Sequence, residues 1–361
     1  MSSRAATPTP TALRWRPRSI EAFYRPLRRQ LDHDSERCVQ SQRGRPRPFL
    51  PRAVTRGGQI GVGESMRRFG YLAPKSVSEA VSVLAEHANV AKLVAGGTDL
   101  VVQMKDGVRR PQVVIDITGI DELRTLEERD DGLHLGALVR MGEIENHPLI
   151  IEKYPVLVDS AKLVGSKQVR NLATIAGNTC NASPGADTPP ALIALDAQVH
   201  TLGPTGPRVV PIDQFFVGPG RTVLEPGELV TKFVVRKAAP NEGAYYERHT
   251  PRKELDIAVV GVGAWVRLNG ETIEDARIGI AAVYPTPLRA TDAEAALRGK
   301  PFGQAALDAA AAAAVAQSRP ISDVRGSAEF RRWLVDVLTR RAVTNAVARA
   351  RGGGPRAGET H

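Results

Sequence analysis

Two segments hold the residues whose types and spacing suit chemistry. The first is Leu93-Val94-Ala95-Gly96-Gly97-Thr98-Asp99-Leu100. A strand pattern runs into paired glycines, then a hydroxyl, then a helical pattern. Successive backbone N–H groups in such a turn form a nest for an anion, and a helix start adds partial positive charge. Glycines, lacking Cβ atoms, let backbone come close to a phosphate. The same spacing also suits an ordinary strand–helix turn. The second segment, 171–187, reads NLATIAGNTCNASPGAD. It has more small hydrogen-bonding residues than a connector needs, enough to wrap a long polar ligand. As a plain surface loop it would make Asx-turns. Ile175, Ala176 and Ala182 within it place part of the segment against a packed surface.

Other chemistries lack their residues. No G-x-G-x-x-G follows a strand, and Gly261-Val-Gly263 lies inside a strand pattern. There is no phosphate loop of the G-x-x-x-x-G-K type, no H-E-x-x-H and no G-x-S-x-G. His134, His147, His200 and His249 have no metal-ligand spacing and read as surface or packing residues. Two cysteines, Cys38 and Cys180, build neither a disulfide framework nor an iron–sulfur cluster within this chain. Cys180 reads as a small packing residue beside a ligand rather than a nucleophile. A reducing, cytoplasmic setting is the default.

The elements that must position these loops follow from periodicity. Ser76-Val-Ser-Glu79 is a capping box for a helix through Ala85. Strands are predicted at Ala91–Ala95, Val113–Ile117 and Leu133–Ala137, with a helix over Leu100–Met104. Met141–Val164 carries one or two helices, interrupted by Pro148 and Pro155. Gly165–Asp187 reads as loop. A helix over Thr188–Leu195 follows, with Asp187 as N-cap, and then strands at Gln198–Leu202, Arg208–Pro211 and Glu228–Val235. Composition breaks at 238–243. Beyond it come strands at Tyr245–Arg248, Ile257–Leu268 and Ala276–Val283, and helices at Thr291–Leu297, Phe302–Gln317 and Ser327–Ala350. Gly352-Gly353-Gly354 ends the last helix. No repeat of 20–50 residues occurs.

The chain has 361 residues and a formal charge of +10. Thirteen Arg and five acidic residues in 1–65 give that stretch +8, leaving +2 for the rest. The basicity therefore gives no reason to expect a nucleic-acid-binding body. Residues 1–65, rich in Arg and Pro and without periodicity, are expected to be disordered. The organised chain is expected to start at Met66, the natural initiator, and 351–361 to be a second disordered tail. No apolar run reaches the length of a membrane-spanning helix.

Five stretches together resemble one family. They are LVAGGTDL at 93–100, VRNLATIAGNTCNASPGADTPPAL at 169–192, GYLAPKSVSEAVSVL at 70–84, YERHTPRKELDIAVVGV at 246–262 and ISDVRGSAEFRRWL at 321–334. In this order they resemble the flavin-binding medium subunit of the molybdenum hydroxylases, which include aerobic carbon monoxide dehydrogenase and bacterial xanthine dehydrogenase. The resemblance covers about 66–345.

It implies an α+β fold. An FAD-binding domain of the vanillyl-alcohol-oxidase (PCMH) type, built of two α/β subdomains, would occupy 66–240, and a small α+β domain 241–350. It implies that Lys92, Leu93, Val94, Ala95, Gly96, Gly97, Thr98, Asp99 and Leu100 bind the FAD pyrophosphate. Ala173, Thr174, Gly177, Asn178, Cys180 and Asn181 would embrace the flavin and ribityl chain, with Asp187 on the ribose side. Val164, Gly165 and Val169 would lie near the flavin, Leu229 and Val230 beside the adenine, and Arg248 close to the ring system. No catalytic acid, base or metal ligand is assigned to this chain. The family often has Gly-Gly-Asn where this chain has Ala176-Gly177-Asn178, an added methyl that negative φ would tolerate.

The implied role is electron transfer. A large subunit with a molybdopterin cofactor performs the hydroxylation. A small subunit with two [2Fe-2S] clusters passes electrons to this FAD and on to NAD+, a quinone or another acceptor. The assembly would be a cytoplasmic dimer of heterotrimers, free or held at the inner face of the membrane. Two other readings stand beside it: a self-contained flavin oxidase or reductase of the same superfamily, and a binding protein acting through its basic tail.

Overall fold

The computed structural model describes residues 67–252 and 255–359. The expectations for 1–65, for Met66 as the start and for Cys38 fall outside that range. Among the described residues no helix is long and apolar enough to cross a membrane.

The chain opens with a small parallel sheet. Strands β1 (Gly70–Leu72), β2 (Ala91–Val94) and β3 (Val113–Asp116) pair in the order β1-β3-β2. Helix α1 (Val77–Glu86) joins β1 to β2 and α2 (Leu100–Lys105) joins β2 to β3. Val77, Ala80, Val81 and Leu84 form the buried stripe of α1. Its capping box forms with a shift: Ser76 accepts from the N–H of Glu79, while the Glu79 carboxylate takes the N–H of Lys75 at 2.7 Å.

A second, antiparallel sheet follows, with strand order β4-β5-β10-β6-β7. Its members are β4 (Leu126–Arg129), β5 (Gly132–Gly136), β6 (Gln198–Gly203), β7 (Gly206–Pro211) and β10 (Leu229–Val235). Strand β4, Leu-Glu-Glu-Arg, carries no apolar alternation and is absent from the sequence reading; it is an edge strand, where charged residues are at home. Between β5 and β6 the chain is helical. Pro148 and Pro155 interrupt the helical stretch as expected, but there are more helices than the one or two expected. The prolines stand at the first positions of two, so Met141–Val164 contains three: α3 (Met141–Asn146), α4 (Pro148–Lys153) and α5 (Pro155–Ala161). A proline there gives up an N–H that has no intrahelical partner anyway. The stretch 165–187 is also not all loop. It contains α6 (Lys167–Arg170) and α7 (Ile175–Cys180), capped by Ser166 and Thr174. Helix α8 (Thr188–Ala194) is as predicted. A short hairpin, β8 (Phe216–Gly218) and β9 (Arg221–Thr222), precedes β10.

The remaining sheet runs β11 (Glu242–His249), β12 (Val260–Asn269), β13 (Thr272–Ala281) and β14 (Leu288–Arg289), with β15 (Lys300–Pro301) also on β13. Helices α9 (Thr291–Leu297), α10 (Gln304–Gln317) and α11 (Ala328–Ala350) complete it. Strand β11 serves two cores. Ala244 and Tyr246 pack with the first, and Tyr245, between them in sequence, packs with the second. Glycines make the layers fit. A Cβ on Gly263 or Gly279 would lie 2.6 or 2.5 Å from the carbonyl oxygen of Pro190, at the start of α8. Gly261-Val-Gly263 is therefore a strand on which a helix rests, not a ligand loop.

Residues 351–359 do not form a loose tail. The glycine run ends α11 as predicted, with Gly352 at φ +78°. The chain then turns back across α5. The Gly358 N–H donates to Asp159 at 2.7 Å, Lys162 donates to the Gly358 carbonyl, and the Tyr245 hydroxyl donates to the Glu359 carbonyl.

Candidate functional site

Strand β2 delivers the first loop at its carboxyl end. The Lys92 side chain is exposed, Leu93 to Thr98 are half-buried, and Gly97 sits at φ +70°, which explains a glycine at that position. Asp99 occupies the N-cap position of α2 without a side-chain cap bond. The carbonyls of Gly97 and Asp99 accept from Val101 and Gln103 as α2 begins. Among the described residues, however, the backbone N–H groups of Gly96, Gly97, Thr98, Asp99 and Leu100 have no acceptor in the protein. Five consecutive donors left this way fit a polyanion.

Gly96 has a different reason to be glycine from the one the sequence suggests. Its missing side chain does not make room for a ligand. A Cβ would lie 2.0 Å from the Leu172 carbonyl oxygen and 3.0 Å from the Ala173 Cα. The two loops touch there, backbone to backbone.

The second segment is fixed from several sides. It runs as a short antiparallel bridge beside 139–141: Met141 donates to the Ala173 carbonyl and Ile175 to that of Val139, both at 2.9 Å. The Thr174 hydroxyl accepts from the Gly177 N–H and starts α7. Ala176 lies inside α7 and is not among the residues with positive φ, so the added methyl is tolerated as expected. Gln103 on α2 donates to the Asn181 Oδ1 at 3.2 Å, and Thr188 on α8 donates to the Asn178 Oδ1 at 2.6 Å. The Ala182 carbonyl accepts from Gly220 and the Pro184 carbonyl from Ala282. Cys180 is half-buried, and burial pushes its thiol up to about 12, away from the thiolate form.

Val164 and Gly165 precede α6, and Val169 lies within it. Gly165 has φ +53°, and a Cβ there would collide with Val169. Leu229 and Val230 begin β10, buried and paired with Leu202 and Thr201; no hydrogen bond joins them to either loop. Asp187 stands at the N-cap position of α8 but makes no cap bond. Its carboxylate instead accepts from the Tyr246 hydroxyl at 2.8 Å and from Arg248 at 2.7 Å, all three buried. Burial raises Asp187 to about 6 despite the guanidinium beside it. Asp187 and Arg248 are thus partners, tying the second segment to β11.

The sequence reading missed Gln103, Thr188 and Tyr246. Gln103 is the one uncharged polar residue in Leu100–Lys105, and Thr188 precedes two prolines; neither signal names a partner. Among the described residues no group of three His, Cys, Asp or Glu side chains could hold a metal ion.

Comparisons with known proteins agree with this architecture. Residues 67–236 match the FAD binding domain in molybdopterin dehydrogenase, and residues 245–346 match the CO dehydrogenase flavoprotein C-terminal domain. The carbon monoxide dehydrogenase medium chain of Hydrogenophaga pseudoflava is 38% identical over 282 residues, 78% of this chain and 98% of that one. The putative xanthine dehydrogenase FAD-binding subunit of Escherichia coli is 30% identical over 279 residues, 77% of this chain and 95% of that one. The solved structure of the Hydrogenophaga enzyme lacking the Mo-pyranopterin moiety superposes with a TM-score of 0.77 at 39% identity. That match covers 79% of this chain and 99% of the other.

Proposed function

Because this chain belongs to the flavoprotein medium subunits of the molybdenum hydroxylases, we propose that it holds FAD across its two loops and relays electrons within a three-subunit enzyme. The observation that carries the placement is the run of five backbone donors at 96–100, packed directly against the second segment. Those donors would take the pyrophosphate, with Lys92 to Ala95 leading into them. Ala173, Thr174, Gly177, Asn178, Cys180 and Asn181 would meet the ribityl chain and the flavin, with Val164, Gly165 and Val169 close by. Asp187 would lie on the ribose side, Leu229 and Val230 beside the adenine, and Arg248 near the ring system.

The redox chemistry is the flavin's own; this chain binds it, orients it and sets its surroundings. The source of electrons would be a small subunit with two [2Fe-2S] clusters, fed by a large molybdopterin subunit. The acceptor would be NAD+, a quinone or a similar molecule, and the assembly a cytoplasmic dimer of heterotrimers. Purification of the full chain from its source tests this. It should bring down two further chains, and the chain expressed alone should carry FAD without iron, zinc or molybdenum. Stoichiometric iron on the single polypeptide, or no flavin, overturns the reading.

A further inference from the structure

Asn178 and Asn181 lie three positions apart on α7 and its C-cap, so both amides stand on one side of the helix. A carboxamide can offer either a carbonyl or an NH2 group to a ligand, and its neighbours decide which. Here each carbonyl is already engaged from outside the segment. The Thr188 hydroxyl, on a residue only 2% exposed, donates to the Asn178 Oδ1 at 2.6 Å. The Gln103 Nε2 donates to the Asn181 Oδ1 at 3.2 Å. Among the described residues neither Asn Nδ2 donates to any protein acceptor.

We propose that Gln103 and Thr188 are positioning residues: by engaging the Asn181 and Asn178 carbonyls they hold both amides in place with the NH2 groups turned to an acceptor-rich ligand. This rests on the FAD reading and deepens it. A dinucleotide's pyrophosphate oxygens and flavin carbonyls are acceptors, and its ribityl hydroxyls can accept as well as donate. Together with the backbone donors of the first loop, the two amides would give the ligand's acceptor oxygens a continuous set of N–H partners. A flipped amide would set its carbonyl against those oxygens.

The test uses the full-length chain and measures the FAD dissociation constant by flavin fluorescence, with unfolding of the FAD-free protein measured alongside. Thr188→Val keeps the shape of the side chain and removes the donor; Gln103→Met does the same on a helix at the molecular surface. Each should weaken FAD binding about tenfold, and Thr188→Ser should restore it, while the FAD-free proteins unfold within about 2 °C of wild type. If wild type binds FAD and both variants bind it equally well, the positioning role is wrong and the FAD assignment stands. If Thr188→Ser is as weak as Thr188→Val, or affinity falls only in step with stability, the position acts through packing and the inference fails. If wild type binds no FAD, both readings fail together. Should Thr188→Val not fold, Gln103→Met decides the matter alone.

Discussion

Gly96 and Leu172 meet so closely that a Cβ on the glycine would lie 2.0 Å from the Leu172 carbonyl oxygen. That contact joins the turn at the end of β2 to the stretch between α6 and α7. Paired glycines in such a turn suggest a single purpose, but these two have separate ones: Gly96 admits a second backbone, and Gly97 adopts φ +70°.

Gly96→Ala should therefore act by wedging the loops apart. Backbone cannot yield as a flexible side chain would, so overpacking should cost about 1–3 kcal/mol. It should also displace the first loop's donors from the second segment. FAD binding should weaken at least tenfold. An alanine variant with wild-type affinity and stability would show that the loops are not held by this contact.

How much of this was legible in the sequence depends on the range of the forces involved. Helix α1 and strands β2, β3 and β12 announce themselves because period and caps are local. Helices α6 and α7 do not: four and six residues show no apolar period, and their caps, Ser166 and Thr174, are of types that turns use equally. Gly263 and Gly279 were unreadable because the atom that demands them, the Pro190 carbonyl oxygen, comes from far away in the chain. Likewise Asp187 has the type and place of an N-cap, yet Tyr246 and Arg248, about sixty positions on, claim its carboxylate.

The Asp187–Arg248 pair should leave a mark on the pH dependence of stability. Burial lifts the Asp187 carboxyl from 3.8 to about 6 in the folded chain. Between those values the native state holds a proton that the unfolded chain has lost. The resulting stabilisation is complete below about pH 4 and disappears as pH rises through about 6. In Asp187→Asn that slope is absent. Urea unfolding of both proteins from pH 5 to 8 should show the wild-type advantage shrinking toward pH 7 and then staying flat. An advantage that grows with pH would refute the assignment.

The carboxyl-terminal segment should work as a clamp. Arg349 donates to Asp159 at 2.6 and 3.1 Å, to the Ala244 carbonyl, and to the carbonyls of Pro355 and Arg356. The Gly358 N–H adds a further bond to Asp159. Hydrogen bonds to charged groups contribute about 1.5–3 kcal/mol each, less the cost of ordering the segment. Truncation after Gly354 should thus destabilise the chain by about 2–4 kcal/mol, measured by urea unfolding. Stability within about 0.5 kcal/mol of the full chain would mean that the segment merely lies on the surface.

Gly97→Val tests the pyrophosphate assignment most directly. At φ +70° a β-branched residue is strained, and its side chain would also press on Val94 and Val101, whose Cγ2 atoms lie 3.4 and 3.3 Å from the Cβ position. The turn must change shape, and the consecutive N–H groups from Gly96 onward would no longer converge. Charge-assisted contacts from N–H groups to a phosphate are worth about 1.5–3 kcal/mol each. Losing two of them weakens FAD binding by roughly two to four orders of magnitude, since about 1.4 kcal/mol is tenfold. The rest of the core is untouched, so the protein should be soluble and folded but colourless, and less stable for want of its ligand. Gly303→Val is the control. Gly303 precedes α10 in extended backbone with no atom within 4 Å of a Cβ, so that variant should keep its yellow colour. Full flavin occupancy of Gly97→Val at nanomolar protein would show that the pyrophosphate does not bind this loop.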